Sequence, residues 1–402
     1  MSGASQTVQA LPVDLARPAA ATLIPTSVDD LTSGWLESIL RRRHGDRYNI
    51  CAHDSYGLKG NQIAACSDMR CFTARGHVLG QEVIDHVIVK LLPENELMRR
   101  VVIDHRMSHC ETMIYKELLP QLVAFERLHG SSDIQDMTVS CLYAEVLDEP
   151  DCAIVLENVQ KKGYWTTESL QLEKPQLNAA VRSLARFAAT SHCWLQETGT
   201  VELPYLLENH LSDGAQVSDF IRIGITKVAD RLERLGQNLL LQKLADMQQA
   251  SVRLLNAFLQ RTPDFGVLCH GDFRDGNLLL RETPDGDWQV RAVDWQASRL
   301  GSPALDLLYL MLFSIPRRVM AEVEGDVLAV YRRHFNAKLA ELGCDRRYSA
   351  AQLRSDFTAA KLVGLVWCLA AIQFWDRVPG WVEHTVDLAL EVDALGLLDN
   401  IQ

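Results

Sequence analysis

The run His270-Gly271-Asp272-Phe273-Arg274-Asp275-Gly276-Asn277, followed by Asp294 seventeen residues beyond Asn277, constrains this chain more than any other feature. The segment between them reads as a hairpin. Leu278, Leu279 and Leu280 form an apolar run, Pro284-Asp285-Gly286-Asp287 is a turn signal, and Trp288 to Val293 alternates in and out. Such a hairpin returns Asp294 to the neighbourhood of Asn277. A lone His-Gly-Asp tripeptide would read as ordinary surface; four matched positions framed by strands do not. Asp272 is a residue type that accepts or orients the proton of an attacking hydroxyl, and Asn277 and Asp294 are hard oxygen donors suited to Mg²⁺. Those types at that spacing are what ATP-dependent phosphoryl transfer requires.

These residues resemble the catalytic and metal-binding loops of the protein-kinase-like superfamily, in the variant used by aminoglycoside phosphotransferases and choline kinases. There His-Gly-Asp replaces His-Arg-Asp. Downstream, Val293-Asp294-Trp295-Gln296 and Gly301-Ser302-Pro303-Ala304-Leu305-Asp306-Leu307 resemble the Val-Asp-Phe-Gln…Gly-Ser-Pro-Ala-x-Asp-Leu signature of ecdysteroid kinase-like proteins, with Trp295 at the usual Phe. The resemblance is strong from Val267 to Tyr309 and weaker from Tyr48 to Val159, and beyond Leu310 it supports only a helical fold. It implies an α+β, bilobed protein-kinase-like fold. Residues 1–24 would be a flexible N-terminal tail. Residues 25–157 would form a small nucleotide-binding lobe of sheet plus helix, and 158–402 a larger, mainly helical catalytic and substrate-binding lobe.

Composition agrees. A chain of 402 residues, 48% hydrophobic and 23% charged, has the balance of a soluble globular protein with an ample core. Its net charge of −12 argues against a nucleic-acid partner and leaves room for a cationic substrate. The ten cysteines include no Cys-x-x-Cys pair and no zinc-like spacing, so reduced, buried thiols in a cytoplasmic protein are expected. Cys269 is expected on a strand beneath the loop. Residues 1–24 carry no secretory signal, since Asp14 and Arg17 interrupt any apolar run. Leu362 to Trp375 is too short to cross a bilayer and suits a buried helix, so no membrane partner is expected.

The N-terminal half offers a nucleotide-binding lobe. A helix over Val28 to Arg43 precedes a strand over Tyr48 to Tyr56, then Gly57-Leu58-Lys59-Gly60-Asn61-Gln62 and a strand over Ile63 to Ala74. Gly57 and Gly60 would let backbone N–H groups approach phosphates, or simply form a hairpin turn; both readings are open. Val83 to Leu92 is a central strand carrying Lys90. An ammonium in an apolar strand needs a partner or must snorkel to water. The partner expected is Glu111, on a helix over Leu97 to Leu118 whose stripe is Ile103, Met107, Cys110, Ile114 and Leu118. This pair resembles the strand-three lysine and helix-C glutamate of kinases, which implies that Glu111 aims Lys90 at the α- and β-phosphates. By the same resemblance Ala153 to Val159 ends in the hinge, where backbone groups from Glu157 to Val159 would meet adenine. A helix from Pro175 opens the larger lobe, with His192 given no role. Asp306, at the start of a helix over Leu305 to Phe313, either caps that helix or braces the His270 loop, the use the resemblance implies.

Only Trp295 to Leu305 lies between Asp294 and that helix, too little for the peptide platform of a protein kinase. The acceptor expected is therefore a hydroxyl of a small molecule, bound by residues after Leu310. Trp367, Phe374, Trp375 and Trp381 would line its pocket or belong to the core. ATP and Mg²⁺ are the expected cofactors. Two alternatives stand: a choline- or aminoglycoside-type kinase of a cationic substrate, for which the scattered Glu322, Glu324, Asp326, Glu383, Asp387, Glu391 and Asp393 leave room, and a catalytically silent nucleotide-binding regulator.

Overall fold

The computed structural model of the chain describes residues 24–57, 66–147, 151–199, 202–206, 214–259, 264–375, 378–399 and 401. The expected tail, apart from Ile24, and Gly60 with the segment 58–65 lie outside these residues.

The first helix starts later than its pattern suggests. A single turn at Val28–Asp30 precedes α1 (Ser33–His44), whose N-terminus is set by Thr32, its hydroxyl accepting from the Trp35 N–H at 3.2 Å. Trp35, Leu36, Ile39 and Leu40 recur at helical spacing, and that face packs on one side of a sheet with Phe72, Val87, Val89 and Val155. The sheet is antiparallel throughout, in the order β1 (Asn49–Gly57), β2 (Asp68–Val78), β3 (Gln81–Leu91), β5 (Cys152–Glu157), β4 (Cys141–Val146). Leu79 and Gly80, at φ 51° and 82°, make the two-residue turn joining β2 to β3, the primed geometry that matches strand twist. Lys90 lies in mid-sheet, opposite Met69 on β2 and Ile154 on β5. Alternation sends Val87, Val89 and Leu91 toward α1 and Lys90 to the other face.

The helix expected over Leu97 to Leu118 is in fact two. α2 (Glu96–Asp104) ends at His105, Arg106 turns left-handed at φ 50°, and α3 (Met107–Met113) starts anew. The apolar positions serve two cores: Val102 packs with Leu92 and Cys152, whereas Cys110, Ile114 and Leu118 join the main core, so one straight helix would not serve both. The second helix continues through a π turn at Ile114–Leu118 into α4 (Leu119–Leu128). Pro120 lacks an N–H and crowds the preceding turn, which the wider π geometry accommodates. α5 (Asp133–Met137) leads back to β4.

After β5 and a short turn at Val159–Lys162 the chain is mainly helical: α6 (Lys174–Thr198), α7 (Gly214–Arg234) and α8 (Asn238–Leu259). Two small antiparallel ladders then build the loop region. β6 (Val267–Cys269) pairs with β9 (Arg299–Gly301), and β7 (Leu278–Glu282) with β8 (Trp288–Ala292). Cys269 is buried beneath the loop. α9 (Ala304–Ser314), α10 (Arg317–Glu341), α11 (Ala350–Trp375) and α12 (Trp381–Ala394) complete the lobe. α11 is long and apolar enough to cross a membrane by length and composition, but it packs against α7, α9 and α12, with Lys361 buried in ion pairs to Glu324 and Glu391 at 2.9 and 2.8 Å. The ten cysteines are free; contrary to expectation Cys51 is exposed, because β1 is an edge strand. The architecture is thus the bilobed α+β one expected, a small antiparallel sheet with helices ahead of a larger helical lobe.

Candidate active site

Three elements converge on the loop that follows β6. Gly271 is left-handed at φ +87°, and a Cβ there would stand 1.9 Å from the Ala297 carbonyl oxygen, so only glycine fits. Asp306 accepts from the N–H groups of His270 at 2.6 Å and Gly271 at 2.9 Å. The cap position of α9 is Pro303, so Asp306 lies inside the first helical turn and spends its carboxylate on the loop. His270 is wholly buried against Trp295, ring centroids 4.4 Å apart. Its Nε2–H donates to the Val293 carbonyl at 3.0 Å, and its Nδ1 accepts from the Asp272 N–H at 3.3 Å. That pattern fixes one neutral tautomer, and burial pushes the imidazole pKa down, keeping it uncharged.

Asp272 is held on several sides. The Asn277 side-chain amide donates to its carbonyl at 2.9 Å and its carboxylate at 2.6 Å, Arg274 Nε donates to its other carboxylate oxygen at 3.1 Å, and the Asp272 charge, after burial, helps hold the Tyr309 pKa above its ordinary value. With the Asn277 amide nitrogen given to Asp272, the side-chain oxygen is the atom left to act as a donor to a cation. The Val293 N–H donates to the Asn277 carbonyl at 3.0 Å, so the hairpin sets Asp294 beside Asn277. Asp294 itself is left-handed at φ 70°, a strained conformation for an aspartate.

Lys90 reaches this loop from the sheet. Its ammonium donates to Glu111 and to Asp294, both at 2.6 Å, joining β3, α3 and the end of the hairpin. Burial alone would lower the lysine pKa, but the two carboxylates outweigh it and hold the ammonium above its ordinary value. Burial opposes ionisation of Asp294 too, and Lys90 reverses that and lowers its pKa; at Glu111 burial prevails and the pKa is raised.

Asp272, Asn277, Asp294, Lys90, Glu111, His270 and Asp306 therefore form one connected assembly. Glu157 and Val159 stand apart from it, at the end of β5. The Glu157 N–H is taken by the Ser140 carbonyl and the Asn158 N–H by the His86 carbonyl, while the Glu157 carboxylate meets Lys162 at 2.8 Å and Arg43 at 3.7 Å. Gly57 ends β1, and Gly60 lies outside the described residues. Arg274, Asp275, Tyr309 and Trp375 also border the site, outside the residues that motif spacing singles out. Arg274 lies over the Trp375 ring at 5.3 Å. Asp275 is fully buried, accepts from Leu170 and Gly276 N–H groups at 2.8 and 2.7 Å, and has its pKa pushed up to about 7 by burial. A cation two residues after Asp272 was visible in the loop; the other three contacts join distant segments and leave no local signal.

A model of the ecdysteroid kinase-like family matches residues 70–344. No curated protein matches the chain. Among solved structures, an aminoglycoside 2'-phosphotransferase-IIIa in complex with GDP is 14% identical, covering 89% of this chain and 97% of its own, at a TM-score of 0.39. A Plasmodium vivax ethanolamine kinase is 11% identical (94% and 91% covered, TM-score 0.38), and a microcompartment-associated aminopropanol kinase 12% (91% and 98%, TM-score 0.40).

Proposed function

Because this chain belongs to the ecdysteroid kinase-like family, we propose that it is an ATP- and Mg²⁺-dependent phosphotransferase that moves the γ-phosphoryl group to a hydroxyl of a small organic molecule. The observation that carries this reading is the Lys90 ammonium shared between Glu111 and Asp294, in one assembly with Asp272 and Asn277.

The donor set fits a hard cation. The Asn277 amide nitrogen binds Asp272, which leaves its side-chain oxygen as the donor atom, and Asp294 is held ionised by Lys90, its second oxygen accepting from the Gln296 side chain at 3.3 Å. These two residues would hold Mg²⁺, which when bound neutralises charge on the phosphates. Lys90, braced by Glu111, would position the α- and β-phosphates, Gly57 and Gly60 would bring backbone N–H groups near them, and backbone groups from Glu157 to Val159 would meet adenine. Asp272 orients the acceptor hydroxyl and takes its proton as the new oxygen–phosphorus bond forms and ADP leaves. The transition state of such a transfer is loose, so the bracing of Asp272 by Asn277 and Arg274 matters more than its basicity.

The acceptor this site favours is a flat or apolar alcohol. Arg274 sets a fixed positive charge beside Asp272, unfavourable to a cationic substrate. Several acidic residues that left the cationic reading open are already engaged: Glu324 and Glu391 by Lys361, Asp326 by Lys174 and Asp393 by Lys243. Of the aromatic residues considered, Trp381 is core, whereas Trp375 borders the Arg274 loop and Phe374 is 58% exposed.

The test is ATP consumption by purified protein against a library of hydroxylated metabolites, beside the Asp294→Ala variant. Mg²⁺-dependent turnover with at least one alcohol is expected, lost in the variant while its circular dichroism is unchanged. Equal Mg²⁺-dependent turnover by the variant sinks the assignment, and nucleotide binding without turnover on any alcohol favours the silent regulator.

A further inference from the structure

Behind the β7–β8 hairpin, between it, α5 and α6, lies a cavity of about 550 Å³ that includes none of the residues assigned to phosphoryl transfer. Four arginines line it, Arg281 on β7, Arg291 on β8, and Arg182 and Arg186 on α6. In a chain of net charge −12 that concentration of positive charge is against the overall trend.

The two walls differ. Arg182 pairs with Asp287 at 2.6 Å, and Arg186 with Asp133 and Glu341 at 2.5 and 3.0 Å. Arg281 and Arg291 have no carboxylate partner among the described residues. Arg281 donates to the Gln289 side chain and the Lys162 carbonyl, and Arg291 to the carbonyls of Thr138 and Gln135, all neutral acceptors. Arg291 lies opposite Leu279 and Arg281 opposite Gln289, so the two guanidiniums are diagonal neighbours on one face of the hairpin. Both lie over the Tyr164 ring, at 4.6 and 5.3 Å from its centroid, a shared cation–π contact that holds them without cancelling their charge. A guanidinium cannot shed its proton to relieve the repulsion. The opposite wall reports the same field: burial, then Arg333, Arg182 and Arg186, push the pKa of His334 down.

We propose that this cavity is a second ligand site, which binds a phosphorylated small molecule through the Arg281 and Arg291 guanidiniums. Its volume is that of a metabolite pocket, and planar paired N–H donors are the chemistry that recognises phosphate oxygens. Trp288 lines the same cavity and packs edge-on against Trp165 at 5.8 Å, an apolar surface for the organic part of such a ligand. The site is built on the strands whose ends carry Asn277 and Asp294, so a ligand clamped there would stiffen the supports of both.

Inorganic pyrophosphate is the probe, titrated calorimetrically into the full chain without divalent metal. Pyrophosphate has two places to bind, so Lys90→Met serves to remove the one at the transfer site. Binding is expected to persist in Lys90→Met and, in that background, to weaken at least about tenfold on adding Arg281→Gln/Arg291→Gln, the loss of two charge-assisted contacts. Should that double variant not fold, Arg182→Gln on the opposite wall is expected to weaken binding about threefold, by loss of local positive potential. No binding by the wild type, binding undiminished by the arginine substitutions in the Lys90→Met background, or binding abolished by Lys90→Met in a protein whose circular dichroism is unchanged would each overturn the proposal. The phosphotransferase reading is tested separately, by Asp294→Ala.

Discussion

Gly271 and Asp306 hold the loop from opposite sides, and their substitution separates shape from charge. In Gly271→Ala a methyl group would collide with the Ala297 carbonyl at 1.9 Å, and the left-handed backbone disfavours alanine as well. The loop must shift, so we predict a stability loss of at least about 1–3 kcal/mol and turnover reduced to background, measured by denaturant midpoint and ATP consumption. Asp306→Ala leaves the His270 and Gly271 N–H groups without their acceptor, and a loss of about 2–4 kcal/mol is expected from two buried donors. An Asp306→Ala protein as stable as wild type would show the carboxylate to be dispensable. The loop was legible in the sequence because phosphoryl transfer demands particular residue types at particular spacing. Asp275 was not: its partners, Leu170 and Ser314, lie 105 and 39 positions away, and nothing in the loop's own sequence announces a carboxylate that will be buried.

At the scale of elements, the strand bearing Lys90 and the hairpin leading to Asp294 could be read because each carries the period of its structure in a few residues. The break between α2 and α3 could not. Ile103, Met107, Cys110, Ile114 and Leu118 keep a helical period across it, yet Met107 packs with Val102, Leu92 and Cys152 while Cys110, Ile114 and Leu118 join the main core. Periodicity records that residues are buried, not which core buries them. The break sets the direction of α3 and thereby the reach of Glu111 to Lys90 at 2.6 Å. Glu111→Gln keeps the shape and removes the charge, leaving Lys90 paired with Asp294 alone. We predict a stability loss of about 1–3 kcal/mol and a fall in kcat/KM of at least about tenfold, because the ammonium is drawn toward Asp294 and away from phosphate. An Asp294→Asn substitution in the same background should show non-additivity in stability, since both carboxylates share one cation.

Across the whole molecule the larger lobe was the least legible part, for a reason visible at Lys361. In sequence the apolar run begins at Leu362 because a lysine precedes it, yet α11 starts at Ala350 and buries Lys361 between Glu324 on α10 and Glu391 on α12. Charges that cancel across three helices read in sequence as the edge of a buried segment. The same region holds His384, buried, stacked on Trp381 at 5.1 Å, with its pKa pushed down to about 4 by burial and then by Arg317. An unfolded histidine titrates near 6.5, so below that pH the unfolded chain takes up a proton that the native state refuses. The stability contributed by neutral His384 is therefore complete above about pH 6.5 and is lost as pH falls from 6.5 toward 4. The full loss amounts to about 3 kcal/mol, at about 1.4 kcal/mol per pKa unit. His384→Phe keeps a flat ring against Trp381 and removes the proton. Denaturant midpoints measured at half-unit steps from pH 7 to pH 4 should fall more steeply for wild type than for the variant, and parallel profiles would mean that His384 is protonated in the fold at no cost.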